Sequence, residues 1–140
     1  MPKLCESEIE KMAIEELVEL GYTYLSGPDI APDALFTERN SYSEVLLRKR
    51  LTDAVVRLNP NLSYDVVLEA VNKVARISSS NLIADNETFH KMLVDGVPVE
   101  YRKNGEIVGD YVRLVGFSEE GTDNNEFLVV NQFTVIENNN

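Results

Sequence analysis

Cysteine and histidine are nearly absent from this chain: it has one of each, Cys5 and His90. A lone cysteine closes no internal disulfide, which fits a reducing, cytoplasmic setting. The two residues together cannot build a Cys/His zinc site. His90, beside Phe89, reads as a surface or half-buried side chain. Long apolar runs are also missing. No window approaches the ~18 apolar residues of a membrane span, so no membrane partner is expected. No basic stretch followed by an apolar one opens the chain, so no signal peptide is expected. Walker A patterns, glycine-rich nucleotide loops and nucleophile elbows are lacking, so no cofactor-binding residue is assigned. Repeats, low-complexity linkers and Pro/Gly-rich boundaries are lacking too, and 140 residues read as one domain, 1–140.

Basic charge is scarce. Thirteen Lys and Arg face 24 Asp and Glu, a net charge of −11. Phosphate affinity comes from cations that neutralise the nucleic-acid backbone, so this balance argues against a free-standing DNA binder. Residues 41–76 alone run positive, with 6 basic and 4 acidic side chains. Arg48, Lys49 and Arg50 in that block are the DNA-contact candidates; the plainer reading is a solvated helix face.

What is present is an ordinary core composition, 44% hydrophobic, arranged with two different periods. Ile9, Ala13, Leu17 and Leu20 recur at helical steps after a Ser7/Glu10 capping box, and Gly21 stops the helix. Gly27-Pro28 and Pro32 mark a loop. A second Ser/Glu pair, Ser41 and Glu44, opens a helix carrying Leu47, Leu51, Ala54, Val55 and Leu58, which Pro60 ends. Ser63 caps a third helix with Val67, Ala70, Val71, Val74 and Ile77 inward. A short fourth runs from about Asp85 to Leu93, before Gly96. Beyond Gly96 the period shortens. Asn104-Gly105 is a hairpin signal between Val97–Arg102 and Ile107–Phe117. A polar turn then leads to an apolar run, Phe127–Ile136. The expected class is α+β: a helical N-terminal half followed by an antiparallel three-stranded β-meander. That last strand would leave an uncovered apolar edge, which fits a chain cut short better than a natural C-terminus.

Two groups could carry chemistry. The acidic first helix places Glu6 and Glu10 on one face, four residues apart, and carboxylates suit Mg²⁺. The competing reading is a polar face favoured by the helix dipole. Asn131-Gln132 lies inside an apolar strand, where two amides need partners if buried; they are either structural or face a groove.

Several strings in order carry a resemblance. They are Glu6-Ser7-Glu8-Ile9-Glu10, Leu20-Gly21-Tyr22, Gly27-Pro28-Asp29-Ile30-Ala31-Pro32, Tyr42-Ser43-Glu44-Val45 and Leu58-Asn59-Pro60. Further on come Phe89-His90, Asp95-Gly96-Val97-Pro98-Val99, Val112-Arg113-Leu114 with Phe117, Asn124-Asn125, and Val129-Val130-Asn131-Gln132-Phe133-Thr134-Val135. Their order and spacing resemble the N-terminal region of type I restriction enzyme R subunits over nearly the whole chain.

The resemblance implies the opening of a PD-(D/E)xK nuclease core, and Mg²⁺- and ATP-dependent cleavage of unmodified double-stranded DNA beside methylation and specificity subunits. It implies that the catalytic Asp and Glu-x-Lys lie beyond Asn140, so no catalytic residue is assigned here and the core is incomplete. Glu10, with Glu6 second, is the metal candidate, in the intact subunit only. The chain alone is expected neither to cut DNA nor to bind it. One departure is Gly116, where many relatives carry aspartate, and it puts only local packing in doubt. Two other readings compete: a non-catalytic module pairing through its C-terminal edge strand, and an acidic DNA mimic.

Overall fold

The computed structural model describes residue 3 and residues 5–77, 81–118 and 122–136. They form two compact units: residues 1–47 with 126–140, and residues 48–125.

The first unit opens with α1 (Glu6–Glu19). Its start lies two residues ahead of the expected capping box: the Cys5 backbone N–H donates to Glu8 Oε2 at 2.9 Å. Its end follows the expectation. Gly21 takes φ +103°, its N–H donates to the Val18 carbonyl, and the Tyr22 N–H donates to the Leu17 carbonyl. This is a Schellman stop, and the left-handed φ makes it a glycine position. The face turned inward differs from the expected stripe. Glu10, Ile14 and Leu17 are half-buried, whereas Ile9 is 54% and Leu20 77% exposed. Of the four expected residues only Leu17 is turned inward. Leu20 falls in the terminating turn, off the stripe, and the amides described below hold Glu10 on the packed side.

Four residues directly before Gly27-Pro28, which read as loop, are a strand: β1 (Thr23–Ser26). β1 pairs in parallel with the last strand, β4 (Leu128–Asn131), Thr23 opposite Leu128 and Ser26 opposite Asn131. The Tyr22 and Phe127 rings meet edge to face at 5.4 Å just ahead of the pair. A 3₁₀ turn, Gly27–Ile30, follows β1. A Cβ at Gly27 would lie 2.3 Å from the Gln132 carbonyl oxygen and 2.4 Å from that of Asn131, so only hydrogen fits there.

The Ser41/Glu44 pair does not open a helix. Arg39, 3% exposed, takes the acceptors such a helix would use. Its Nη2 donates to the Tyr42 and Glu44 carbonyls at 2.9 and 2.7 Å, and its Nη1 to the Thr134 carbonyl at 2.9 Å. The guanidinium also stacks over Phe133, 4.0 Å from the ring centroid. With those carbonyls engaged, Ser41 and Glu44 close a turn instead, the Glu44 N–H donating to the Ser41 carbonyl.

The second unit holds α2 (Arg48–Leu58), α3 (Tyr64–Ala75), α4 (Leu82–Asp95) and a hairpin of β2 (Val97–Lys103) and β3 (Glu106–Val112). Its core is largely valine: Val55, Val67, Val71, Val97, Val99 and Val112 are buried. Stiff β-branched side chains lose little rotamer freedom on burial. Ser63 caps α3 as expected, its hydroxyl accepting from the Val66 N–H at 3.4 Å. α4 begins three residues earlier than expected because Asn81 Oδ1 accepts from the Ile83 and Ala84 N–H groups. The hairpin turn follows its sequence: Asn104 and Gly105 take φ +53° and +81°, as a type I′ turn requires. Buried Asn59 acts as a strand partner past the end of β3. Its Nδ2 donates to the Arg113 carbonyl and its Oδ1 accepts from the Arg113 N–H, both at 2.8 Å.

The three-stranded meander is therefore not what forms. Among the described residues there are two separate pairs, β2 with β3 antiparallel and β4 with β1 parallel. The class remains a mixture of helix and strand.

Candidate functional site

Glu10 is the one acidic side chain of α1 to which the described sheet brings polar partners. Asn131, the last residue of β4, donates from Nδ2 to Glu10 Oε1 at 2.7 Å. Gln132, the next residue, donates from Nε2 to both carboxylate oxygens at 3.2 Å. Gln132 takes φ +50°, in the left-handed region. That conformation costs a non-glycine residue about 1 kcal/mol, and such strain concentrates at ligand and switch sites. Tyr24 on β1 donates its hydroxyl to Asn131 Oδ1 at 2.8 Å. The two amides flagged in the apolar run thus have partners, and these meet at one carboxylate.

Beside the carboxylate lies an open cavity of about 350 Å³, lined by Ser7, Glu10, Lys11, Ile14, Tyr24 and Asn131, among others. Lys11 lies 3.9 Å from Glu15, an exposed pair one turn apart. Such a pair contributes little to stability.

The other candidates lie elsewhere. Glu6, one turn ahead of Glu10, is exposed and outside the cavity lining. Arg48, Lys49 and Arg50 form the first turn of α2 in the second unit. Arg48 Nη2 donates to Asn72 Oδ1 on α3, and Lys49 lies 2.9 Å from Asp53. His90 is exposed on α4. At Gly116 the local packing is a closed exchange: the Gly116 N–H donates to Asn125 Oδ1 and Asn125 Nδ2 donates to the Gly116 carbonyl, both at 2.8 Å. Among the described residues no group of three or more His, Cys, Asp or Glu could hold a metal ion, and no helix is long and apolar enough to cross a membrane.

Tyr24 and Arg39 went unnoticed in the sequence. Tyr22-Thr23-Tyr24 is a β-favouring run that could have marked β1. Nothing in Glu38-Arg39-Asn40 signals a buried guanidinium.

The profile of the family described as type I restriction enzyme R protein N terminus matches residues 3–140. A protein of Methanocaldococcus jannaschii, provisionally named type I restriction enzyme MjaIXP endonuclease subunit, is 35% identical over 127 residues, 91% of this chain. The type I restriction enzyme HindI endonuclease subunit of Haemophilus influenzae is 37% identical over 132 residues, 94% of this chain. The chain spans 12% of the length of each of these relatives. No solved structure gives a significant match. The family match over residues 3–140 and both relatives agree, and the chain belongs to the family of type I restriction enzyme R protein N-terminal regions.

Proposed function

We propose that this chain is the opening portion of a nuclease-bearing R subunit, which in an assembled complex takes part in Mg²⁺- and ATP-dependent cleavage of unmodified double-stranded DNA. The observation that carries the reading is the similarity along nine-tenths of the chain to two relatives, both named as endonuclease subunits. The partners are double-stranded DNA and the methylation and specificity subunits.

Glu10 suits a share in the metal site. Mg²⁺ takes hard oxygen donors, usually one or two carboxylates with water completing the octahedron. One half-buried carboxylate, oriented by neutral amides and beside an open cavity, is such a donor. Glu6 is the second choice, one turn away on α1. Bound there, the ion would polarise a phosphate and activate water. By the resemblance, the family's Asp and Glu-x-Lys would supply the remaining cage. The ATP-driven motor belongs to other parts of the subunit.

The test compares the 140-residue chain with a complete complex whose R subunit begins with this sequence. The complex should cleave unmodified plasmid only with both Mg²⁺ and ATP, and spare methylated plasmid. The isolated chain should neither nick plasmid with Mg²⁺ or Mn²⁺ nor shift DNA at low salt. An assembled complex that hydrolyses ATP on unmodified DNA and never cuts it would contradict the reading.

A further inference from the structure

We infer that Tyr24, Asn131 and Gln132 are positioning residues that convert Glu10 into a one-point ligand for a hard divalent cation. The inference rests on the reading of Glu10 as a metal ligand and adds to it the residues that set its geometry.

An ionised carboxylate offers roughly four acceptor positions, two on each oxygen. Three are taken by the amides. Oε1 accepts from Asn131 and Gln132, and Oε2 accepts from Gln132 alone. Among the described residues the Glu10 carboxylate makes no other hydrogen bond or ion pair. One position remains, on Oε2. The amides add no positive charge, so the carboxylate keeps its attraction for a cation while losing its freedom to swing or to bind through both oxygens. A lysine or arginine at either position would instead have neutralised it.

The orientation of the clamp is itself held. An ionised carboxylate only accepts, so the Asn131 amide must turn its Nδ2 toward Glu10. The Tyr24 hydroxyl, donating to Asn131 Oδ1, holds the far end of that amide and so steadies Nδ2 on the carboxylate. Gln132 reaches the carboxylate from a left-handed backbone, at the point where the Asn131 and Gln132 carbonyls press on Gly27. Tyr24, Asn131 and Glu10 also line the same cavity. Groups that orient a metal ligand in this way typically change metal affinity about 10- to 100-fold when removed.

Two substitutions separate positioning from folding. Tyr24→Phe keeps the ring and removes only the hydroxyl. Gln132→Gly removes one amide while giving the left-handed backbone the residue that tolerates it best. The experiment titrates Mn²⁺ into the complete, isotope-labelled R subunit, where the rest of the proposed cage is present, and follows paramagnetic broadening of the Asn131 side-chain amide protons. The wild-type subunit should show broadening there, lost in Glu10→Gln. Tyr24→Phe and Gln132→Gly should each need about tenfold more Mn²⁺ for half-broadening, with the backbone spectrum otherwise retained. Equal Mn²⁺ dependence in wild type and both variants, with loss only in Glu10→Gln, would overturn the positioning role and leave Glu10 a ligand. Absence of local broadening in the wild type at millimolar Mn²⁺ would overturn both, leaving the clamp a latch between α1 and β4.

Discussion

Two glycines separate the ways a residue can be irreplaceable. Gly27 has no room for a side chain, because backbone carbonyls lie 2.3 and 2.4 Å from where its Cβ would be. Gly105 has open space around it but a φ of +81°. Forcing a methyl group against backbone that belongs to the β1–β4 pairing costs about 3 kcal/mol. A left-handed alanine in an open turn costs about 1 kcal/mol. Gly27→Ala should therefore lower the melting temperature clearly more than Gly105→Ala in parallel thermal scans. Equal losses would mean that β4 shifts freely away from Gly27, and that the seat of Gln132 on Glu10 is looser than its hydrogen bonds imply.

At the scale of elements, several local signals are legible in the sequence and long-range pairing is not. The Schellman stop at Gly21, the Ser63 cap and the Asn104-Gly105 turn each depend on neighbours within a few residues, so the chain announces them. β4 pairs with β1 about a hundred residues away, and period-two alternation does not say which strand is the partner. Helix α2 began late for a related reason: Arg39, joined to the Thr134 carbonyl far along the chain, takes acceptors that local spacing had assigned to a helix. In the same way Glu10 could be picked out as a candidate, and Asn131-Gln132 as amides in need of partners, but nothing local says that they meet.

The β1–β4 pair also has a consequence for association. Parallel sheets are ordinarily covered on both faces, and two strands alone are marginal. Among the described residues β1 is the only strand paired with β4, and Phe127, Val135 and Ile136 flank it exposed. The isolated chain should associate through residues 127–136 as concentration rises. Light scattering should report a growing apparent mass, reduced by Val135→Lys. A strict monomer at high concentration would show that this edge is protected.

For the whole molecule, charge and chemistry point the same way. A net charge of −11 repels a polyanion. The basic side chains that open α2 are partly engaged within their own unit, Arg48 with Asn72 and Lys49 with Asp53. On the proposed reading, DNA affinity belongs to the assembly, and this chain contributes one oriented carboxylate to the chemistry. The most direct measurement replaces Glu10 by Gln in the complete complex and follows DNA cleavage and ATP hydrolysis together. The substitution keeps the size of the side chain and removes its charge. Cleavage should fall by at least about 100-fold, beyond the about 10- to 100-fold typical of losing a group that only orients a ligand, while ATP hydrolysis stays at the wild-type rate. Unchanged cleavage by a complex that still hydrolyses ATP would contradict the account and return Glu10 to a structural latch.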